Sequence, residues 1–309
     1  MPIRSAVRSR SGTVSDGIRL HKQDITAELV AALVADQLPQ WAHLPVRPVP
    51  IDGNDNTSFR LGDDLLVRLP SHERYVLGVH KEHRWLPVLA RKLPLPIPEP
   101  LFLGVPACGF PRPWSVYRWI AGEPASVAPI ADDVRFARDV AAFLTALYAI
   151  DPSGGPPAGE QNFHRGAPLS VYDEQTRQAI QLLRDDIDAR ATTEMWQAAL
   201  DATWTGEPVW FHGDVAENNL LVANGRLCAV IDFGTSGVGD PACDAVLAWT
   251  FLSGAAREEY RTRLPFDDAT WARGRGWALW KAVITLARSR DAAGSAAARR
   301  TLAAVLAKR

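Results

Sequence analysis

The sequence contains few cysteines, and their arrangement excludes two classes of protein. Cysteine occurs three times among 309 residues, at Cys108, Cys228 and Cys243, without a C-x-x-C spacing. An odd number of widely separated thiols argues against a disulfide framework and against a structural zinc site. We therefore expect three small buried side chains in a protein that works in a reducing cytoplasm.

The sequence also lacks an excess of charge of one sign and a long apolar segment. Its formal net charge is −1, so charge alone predicts no nucleic-acid partner. No apolar run of membrane-spanning length occurs, and no apolar segment of a secretory signal begins the chain, which predicts a cytoplasmic protein without a membrane partner. We interpret residues 1–20 as a disordered basic tail rather than a transit peptide, because Asp16 and Asp24 are acidic.

The order of the predicted elements divides the chain into two lobes. Residues 21–119 contain a helix near 24–37, a predicted hairpin of strands at 57–61 and 65–69, a helix near 75–91 and further strands at 101–104 and 114–120. Residues 120–309 are mostly helical, with an amphipathic segment at 134–147, a long Gly/Pro-rich loop at 151–168 and further helices near 171–188 and 192–203. This order predicts an α+β fold with a small, mostly β N-terminal lobe and a larger, mostly α C-terminal lobe.

The most specific chemical signal lies between residues 211 and 234. An H-G-D motif at 212–214 is followed by four residues and then Asn219, and a D-F-G motif occupies 232–234. An Asn-Gly pair at 224–225, the favoured two-residue hairpin turn, separates the two motifs. The motifs are therefore predicted on adjacent antiparallel strands, where their polar side chains converge.

The residue types fit the needs of phosphoryl transfer. Protein kinases carry H-R-D, four residues, Asn and later D-F-G. The reaction needs a carboxylate that accepts or orients the proton of the attacking hydroxyl, for which we assign Asp214 as the catalytic residue. It also needs hard oxygen ligands for the Mg²⁺ that bridges the ATP phosphates, for which we assign Asn219 and Asp232. His212 is interpreted as a buried structural residue.

With these motifs, the sequence resembles the aminoglycoside phosphotransferase family. That family uses H-G-D in place of H-R-D and continues into a G-D-P-x-x-D segment, which here occupies 239–244. The resemblance implies a protein-kinase-like fold, ATP and Mg²⁺ as cofactors, and a small-molecule hydroxyl acceptor held by the C-terminal lobe. Asp240 suits the N-cap of a helix that begins at Pro241, so we assign Asp240 and Asp244 to structural support.

The N-terminal lobe departs from the pattern that the resemblance implies. Family members pair a lysine of the third strand with a glutamate of the following helix, and here the corresponding residues are Arg68 and Glu82. Arginine also binds phosphates and carboxylates, and Lys81 is an alternative phosphate contact. Residues 53–58 replace the glycine-rich loop over the phosphates, with Asn56 and Ser58 as candidate contacts. The predicted adenine-binding hinge consists of Tyr117, Arg118, Trp119 and Ile120.

The acceptor is less clearly indicated by the sequence. The candidate acceptor contacts are Glu217, Arg165, Trp271 and Trp277. A cationic aminoglycoside favours a strongly acidic pocket, which the aromatic and arginine content of residues 271–280 does not supply. We therefore expect a less cationic acceptor, either antibiotic-like or an ordinary metabolite, and the oligomeric state is not indicated.

Three other functions compete with this interpretation. A catalytically silent ATP-binding regulator would lack the base or the metal ligands, whereas all three residues are present. A protein kinase would carry the arginine of H-R-D and a later A-P-E segment. Residues 237–242 match the dinucleotide fingerprint G-x-G-x-x-A of NAD enzymes, but Pro241 removes an amide donor at the start of the helix.

Overall fold

The computed structural model of the protein describes residues 22–50, 55–289 and 292–307. The predicted tail of residues 1–20 and the first two residues of the predicted phosphate-covering loop, Gly53 and Asn54, lie outside the described residues. Among the helices that are described, none is long and apolar enough to cross a membrane.

The N-terminal part is an antiparallel sheet flanked by two helices. Its elements are α1 (Ala27–Gln37), β1 (Val46–Pro48), β2 (Asn56–Leu61), β3 (Leu65–Pro70), α2 (Val76–Ala90), β4 (Pro100–Gly104) and β5 (Trp114–Arg118). The five strands have the order β1-β2-β3-β5-β4. The β2–β3 hairpin closes at Gly62, whose φ of 61° is easily reached only by glycine. Thr26 caps α1 by accepting a hydrogen bond from the Leu29 N–H at 3.3 Å.

The C-terminal part is larger and mostly helical. Its elements are β6 (Glu123–Pro124), α3 (Asp133–Tyr148), α4 (Asp173–Leu182), α5 (Ala189–Asp201), β7 (Val209–Phe211), β8 (Leu220–Ala223), β9 (Arg226–Val230), β10 (Gly237–Gly239), α6 (Leu247–Thr250), α7 (Gly254–Arg263), α8 (Asp268–Arg288) and α9 (Ala292–Leu306). Two small sheets, β6-β8-β9 and β7-β10, lie among these helices. The predicted two-lobed α+β architecture is confirmed.

Two apolar cores hold these parts together. One lies between the N-terminal sheet and α1, and includes Leu33, Phe59 and Trp114. The larger core fills the C-terminal part and also takes in Leu86 of α2 and Tyr117 of β5. Helix α2 therefore packs on both parts of the chain, and the lobe boundary predicted near residue 120 stays a prediction.

Several local predictions need correction. The long loop at 151–168 contains a 3₁₀ turn at Glu160–Asn162, and the helix predicted near 171–188 ends at Leu182. The three cysteines are free thiols, but the prediction that all are buried is wrong: Cys108 is exposed, Cys228 is half-buried and Cys243 is buried. Cys108 sits at a tight turn with a φ of 51°, which keeps its side chain at the surface.

Two glycines provide a test of packing in the N-terminal part. A Cβ at Gly104 would lie 2.1 Å from the buried Trp114 ring, whereas a Cβ at Gly78 in α2 would meet nothing within 4 Å. We expect Gly104→Ala to lower the free energy of unfolding by about 1–3 kcal/mol through overpacking. Gly78→Ala should raise it by about 0.5–1 kcal/mol, because alanine favours the helix. Urea unfolding measures both, and equal effects of the two substitutions would contradict this packing.

Candidate active site

One β-hairpin positions two of the three predicted chemical residues. Strands β8 and β9 pair in antiparallel register and turn at Asn224 and Gly225, whose φ values of 52° and 74° fit a type I′ turn. Asn219 immediately precedes β8, and Asp232 follows β9 by one residue. The Ile231 N–H donates to the Asn219 carbonyl at 2.9 Å, so the hairpin carries both residues to the same end.

The Asp214 carboxylate lies between an amide and an ammonium group. Asn219 Nδ2 donates to the Asp214 carbonyl at 2.9 Å and to its Oδ2 at 3.3 Å. Lys281 Nζ of α8 donates to Oδ1 at 2.9 Å. Burial raises the pKa of Asp214, but the charge and hydrogen bond of Lys281 outweigh it and bring this pKa down to about 2. Asp214 is therefore ionised throughout the physiological pH range.

A buried carboxylate fixes the loop that carries Asp214. Asp244 is fully buried, and it accepts hydrogen bonds from the N–H groups of His212 at 3.0 Å and Gly213 at 2.7 Å. His212 is also fully buried; its Nε2 lies 3.0 Å from the Ile231 carbonyl, and its Nδ1 accepts the Asp214 N–H at 3.3 Å. His212 thereby connects the Asp214 loop to the hairpin.

The middle residue of H-G-D is constrained to be glycine. Gly213 has a φ of 86°, and a Cβ there would lie 2.7 Å from the Thr235 carbonyl oxygen. A side chain at this position would force the loop away from the D-F-G segment.

Asp240 caps a turn and forms a buried ion pair, which are structural roles. Its side chain caps the turn that begins at Pro241 by accepting the Ala242 N–H at 3.1 Å. Arg273 of α8 binds both of its carboxylate oxygens, at 2.6 and 3.1 Å, in an ion pair of which both side chains are about 95% buried. Two charge-assisted bonds in this geometry attach the G-D-P segment to α8.

In the N-terminal part, Arg68 contacts two carboxylates. Its Nη1 lies 3.5 Å from Glu82 Oε2 and its Nη2 lies 3.2 Å from Asp232 Oδ1. The Tyr117 hydroxyl donates to the same Glu82 oxygen. Burial lowers the pKa of Arg68, but the two carboxylates raise it further, so the guanidinium stays charged. Arg68 thus joins β3, α2 and the D-F-G segment.

Lys81 occupies a different position from the phosphate contact considered for it. Its Nζ donates to the carbonyls of Gly234 at 2.6 Å and Ser236 at 2.8 Å. Burial lowers the pKa of Lys81 to about 8. Lys81 therefore attaches α2 to the segment after Asp232.

A pocket between the two parts of the chain surrounds Asp232. Its volume is about 360 Å³. The lining residues are Asp55, Asn56, Arg74, Tyr75, Gly78, Glu82, Gln161, Phe163, Asp232 and Gly234. Burial and the nearby Asp232 charge raise the pKa of Asp55. Of the two predicted phosphate contacts, Asn56 lines this pocket. Ser58 lies on β2, opposite Arg68 in the β2–β3 register.

The donors around Asp232 suit Mg²⁺ bound together with phosphates. Within the described ranges, no three His, Cys, Asp or Glu side chains form a metal-binding group. Mg²⁺ bound with a nucleotide takes one or two protein oxygens and completes its shell with phosphates and water. The Asp232 carboxylate and the Asn219 amide oxygen fit this requirement, because Asn219 uses its Nδ2 for Asp214.

Two backbone N–H groups of the predicted hinge are already hydrogen-bonded to other parts of the protein. The N–H groups of Arg118 and Trp119 donate to the carbonyls of Glu99 at 3.0 Å and Asp64 at 2.7 Å. The Tyr117 side chain is buried against Glu82, and Ile120 lies in the connection between β5 and β6. A base bound here would have to use the remaining backbone groups of this segment.

A second pocket, of about 250 Å³, lies beside Asp214. Its lining residues are Arg165, Gly213, Asp214, Val215, Cys243, Val246, Trp277, Trp280 and Lys281. Arg165 comes from the 151–168 loop, and its Nε donates to the Gly213 carbonyl at 3.0 Å. Its guanidinium carbon lies 4.8 Å from the Trp280 ring centroid and 5.2 Å from that of Trp277. We call this space the Asp214 pocket.

The structure does not bring all predicted acceptor contacts to the Asp214 pocket. Arg165 and Trp277 line it, but Trp271 is buried against Trp249, Tyr260 and Phe266. Glu217 begins a 3₁₀ turn and does not line the Asp214 pocket. Lys281, which was not among the predicted site residues, also lines the pocket; it lies four residues after Trp277 and therefore on the same helix face.

The segment that matches a dinucleotide fingerprint has another structure. Gly237–Gly239 forms strand β10, which pairs with β7. A Cβ at Gly239 would lie 2.6 Å from the Gly166 carbonyl oxygen, so its glycine accommodates neighbouring backbone. This geometry gives no support to NAD binding.

The sequence and the fold are similar to those of known phosphotransferases. Residues 46–277 match the sequence profile of the phosphotransferase enzyme family (APH). A curated relative, the uncharacterised protein YcbJ of Bacillus subtilis (strain 168), is 29% identical over 190 residues. That match spans 59% of this chain and 56% of the relative, so it covers little more than half of the relative's length.

Two solved structures illustrate the similarity in fold. The GDP complex of aminoglycoside 2′-phosphotransferase-IIIa has a TM-score of 0.69 at 18% identity, covering 91% of this chain and 99% of that one. The macrolide 2′-phosphotransferase MphH of Brachybacterium faecium, as apoenzyme, has a TM-score of 0.58 at 22% identity, covering 89% and 98%. The fold is therefore the kinase-like fold of these enzymes. The chain belongs to the phosphotransferase enzyme family.

The ion pair between Lys281 and Asp214 can be tested by titration. In Lys281→Met the burial of Asp214 remains while the compensating charge is lost, so its pKa should rise well above about 2. The carboxyl ¹³C signal of Asp214, followed as the pH is lowered, should show a higher midpoint in the variant. Lys92→Met, at an exposed lysine, is the control and should leave the midpoint unchanged. An equal midpoint in Lys281→Met would contradict the ion pair.

Proposed function

We propose that the protein transfers the γ-phosphoryl group of ATP to a hydroxyl group of a small molecule. The observation that carries the proposal is the cluster of Asp214, Asn219 and Asp232 at one end of the β8–β9 hairpin. Asn219 donates to Asp214 at 2.9 and 3.3 Å, and the Ile231 N–H donates to Asn219. Membership of the phosphotransferase family supports the same reaction.

The two pockets divide the reactants between them. The pocket around Asp232 would hold the nucleotide phosphates, and the Asp214 pocket would hold the acceptor. Asp232 and Asn219 would bind Mg²⁺, which when bound neutralises charge on the phosphates. Arg68, fixed by Glu82 at 3.5 Å, would support the phosphate side, as arginine suits phosphate oxygens.

Asp214 orients the attacking hydroxyl group. The acceptor oxygen forms a bond to the γ-phosphorus, the bond from that phosphorus to the bridging oxygen breaks, and ADP leaves. A carboxylate with a pKa of about 2 is a weak base towards a neutral alcohol. It accepts the proton favourably only after the new bond has largely formed, which agrees with a loose transition state. Hydrogen bonds from Lys281 and Asn219 hold the two carboxylate oxygens of Asp214 in a fixed orientation. This orientation sets the direction from which the acceptor hydroxyl donates its proton.

Replacement of Asp214 tests this role. We expect Asp214→Asn to lower the rate of acceptor-dependent ADP release by about 10²–10⁴-fold, because the amide accepts no proton. Binding of Mg-ATP should stay within a few-fold of that of the wild type. The control is Asp185→Asn, a carboxylate that is 85% exposed, which should retain full activity. Unchanged turnover in Asp214→Asn would refute the assigned role, and a parallel assay with GTP would establish the preferred nucleotide.

Replacement of Asp232 tests the nucleotide side. Asp232→Asn removes a charged oxygen ligand. We therefore expect the gain in nucleotide affinity that Mg²⁺ produces to be about 10-fold smaller in the variant than in the wild type. Titration of a fluorescent ADP analogue with Mg²⁺ and with EDTA measures this difference, again with Asp185→Asn as the control. If Mg²⁺ strengthened binding equally in wild type and variant, Asp232 would not be a metal ligand.

A further inference from the structure

We infer that the acceptor carries an anionic group, a carboxylate or a phosphate, besides its reactive hydroxyl, and that Arg165 binds this group. The inference rests on the proposed phosphoryl transfer, and it names the chemical class of the acceptor for the same site. It follows from the charge and the construction of the Asp214 pocket.

The charges that line the Asp214 pocket are unequal. Two cations, Arg165 and Lys281, and one carboxylate, Asp214, are among its lining residues. Lys281 is paired with Asp214 at 2.9 Å. Arg165 makes hydrogen bonds to backbone carbonyls of Gly213 and Phe163, and no carboxylate of the described ranges lies within 4.0 Å of its side-chain nitrogens. The pocket lining therefore carries one more positive than negative charge, and Arg165 is the cation in it that has no described carboxylate at salt-bridge distance.

Arg165 is held in place by aromatic rings. Its guanidinium lies against Trp280 and Trp277, at 4.8 and 5.2 Å from their ring centroids. Tyr172 stacks on Trp280 at 4.3 Å and donates its hydroxyl to the Phe163 carbonyl at 2.6 Å. An arginine fixed in this way loses little conformational entropy when it binds an anion. Its planar donors suit a carboxylate or phosphate group.

The charge of the pocket disfavours cationic acceptors. Its lining contains a single acidic side chain, Asp214, which is already paired with Lys281. A polycationic acceptor would place its charges beside Arg165 and Lys281 without a partner. A hydroxylated anion would instead bring a group of opposite charge to Arg165.

Acceptors that differ only in charge provide the test. One set contains glycerate, glycerol 3-phosphate, glycerol and 3-amino-1,2-propanediol; the other contains gluconate, sorbitol and glucamine. We expect kcat/KM for ADP release to be about 10-fold or more higher for the anionic members than for the neutral ones, and lowest for the cationic ones. Comparison of glycerate with glycerol 3-phosphate distinguishes a carboxylate from a phosphate. Equal rates across each set, or a preference for the cationic member or for kanamycin, would overturn the inference.

Substitution of Arg165 connects the charge preference to this residue. Arg165→Gln should lower the ratio of kcat/KM for anionic over neutral acceptors by about 10-fold, and Arg165→Lys should retain part of it. A merely structural role would lower kcat/KM for all acceptors equally in both variants. The control is Arg190→Gln, at an exposed arginine of α5 paired with Glu194, which should leave the ratio unchanged.

Binding without turnover separates this inference from the proposed reaction. Calorimetric titration of the wild-type protein, saturated with Mg²⁺ and a non-hydrolysable ATP analogue, should show tighter binding of gluconate than of sorbitol or glucamine. That order without any ADP release would support the anion site and count against the proposed reaction. ADP release confined to cationic acceptors would support the reaction and overturn the anion site. Failure of every anionic probe in both assays would also overturn it.

Discussion

The carboxylate of Asp244 is the constraint on which the rest of the site depends. It lies in the apolar C-terminal core and accepts hydrogen bonds from the N–H groups of His212 and Gly213. The backbone carbonyl of Asp244 accepts a hydrogen bond from the Tyr260 hydroxyl at 2.8 Å. Burial raises the pKa of Asp244, so its position depends on these donors. With the loop fixed in this way, Asp214 meets Asn219, five residues further along the chain, and Lys281 of α8, which is 67 residues away.

A repeated electrostatic arrangement surrounds this loop. Carboxylates of the site have cations from other elements: Asp214 has Lys281, Asp232 has Arg68 and Asp240 has Arg273. The Asp240–Arg273 pair is almost fully buried, so loss of one partner would leave a costly unpaired charge, whereas the Asp214 and Asp232 carboxylates are about a third exposed. The three pairs connect the β sheet, the hairpin and α8. Arg165 is an exception in this arrangement, since its partners are carbonyls and aromatic rings, and this exception distinguishes the Asp214 pocket.

Much of the architecture was predictable because its signals are local. The Asn224-Gly225 turn fixes the β8–β9 hairpin, and the short Gly/Asp turn at Gly62 fixes β2–β3, so strand positions followed from turn chemistry. Asp240 acts as the cap that its position indicated. The errors lie where local signals are weak: the end of α4, and Cys108, whose exposure depends on an irregular turn.

The candidate site shows the same division between local and tertiary information. The spacing of H-G-D, Asn219 and D-F-G by itself predicted phosphoryl transfer, because the hairpin between Asn219 and Asp232 brings these two residues to the same end. The tertiary structure alone decided that Lys281 pairs with Asp214, that Lys81 holds the D-F-G segment, and that Trp277 lines the Asp214 pocket while Trp271 lies in the core. Those contacts join residues up to 153 positions apart, and a helix pattern does not show which neighbour its face will meet. The charge of the Asp214 pocket, which depends on Arg165 being held beside Trp280, follows from the same packing.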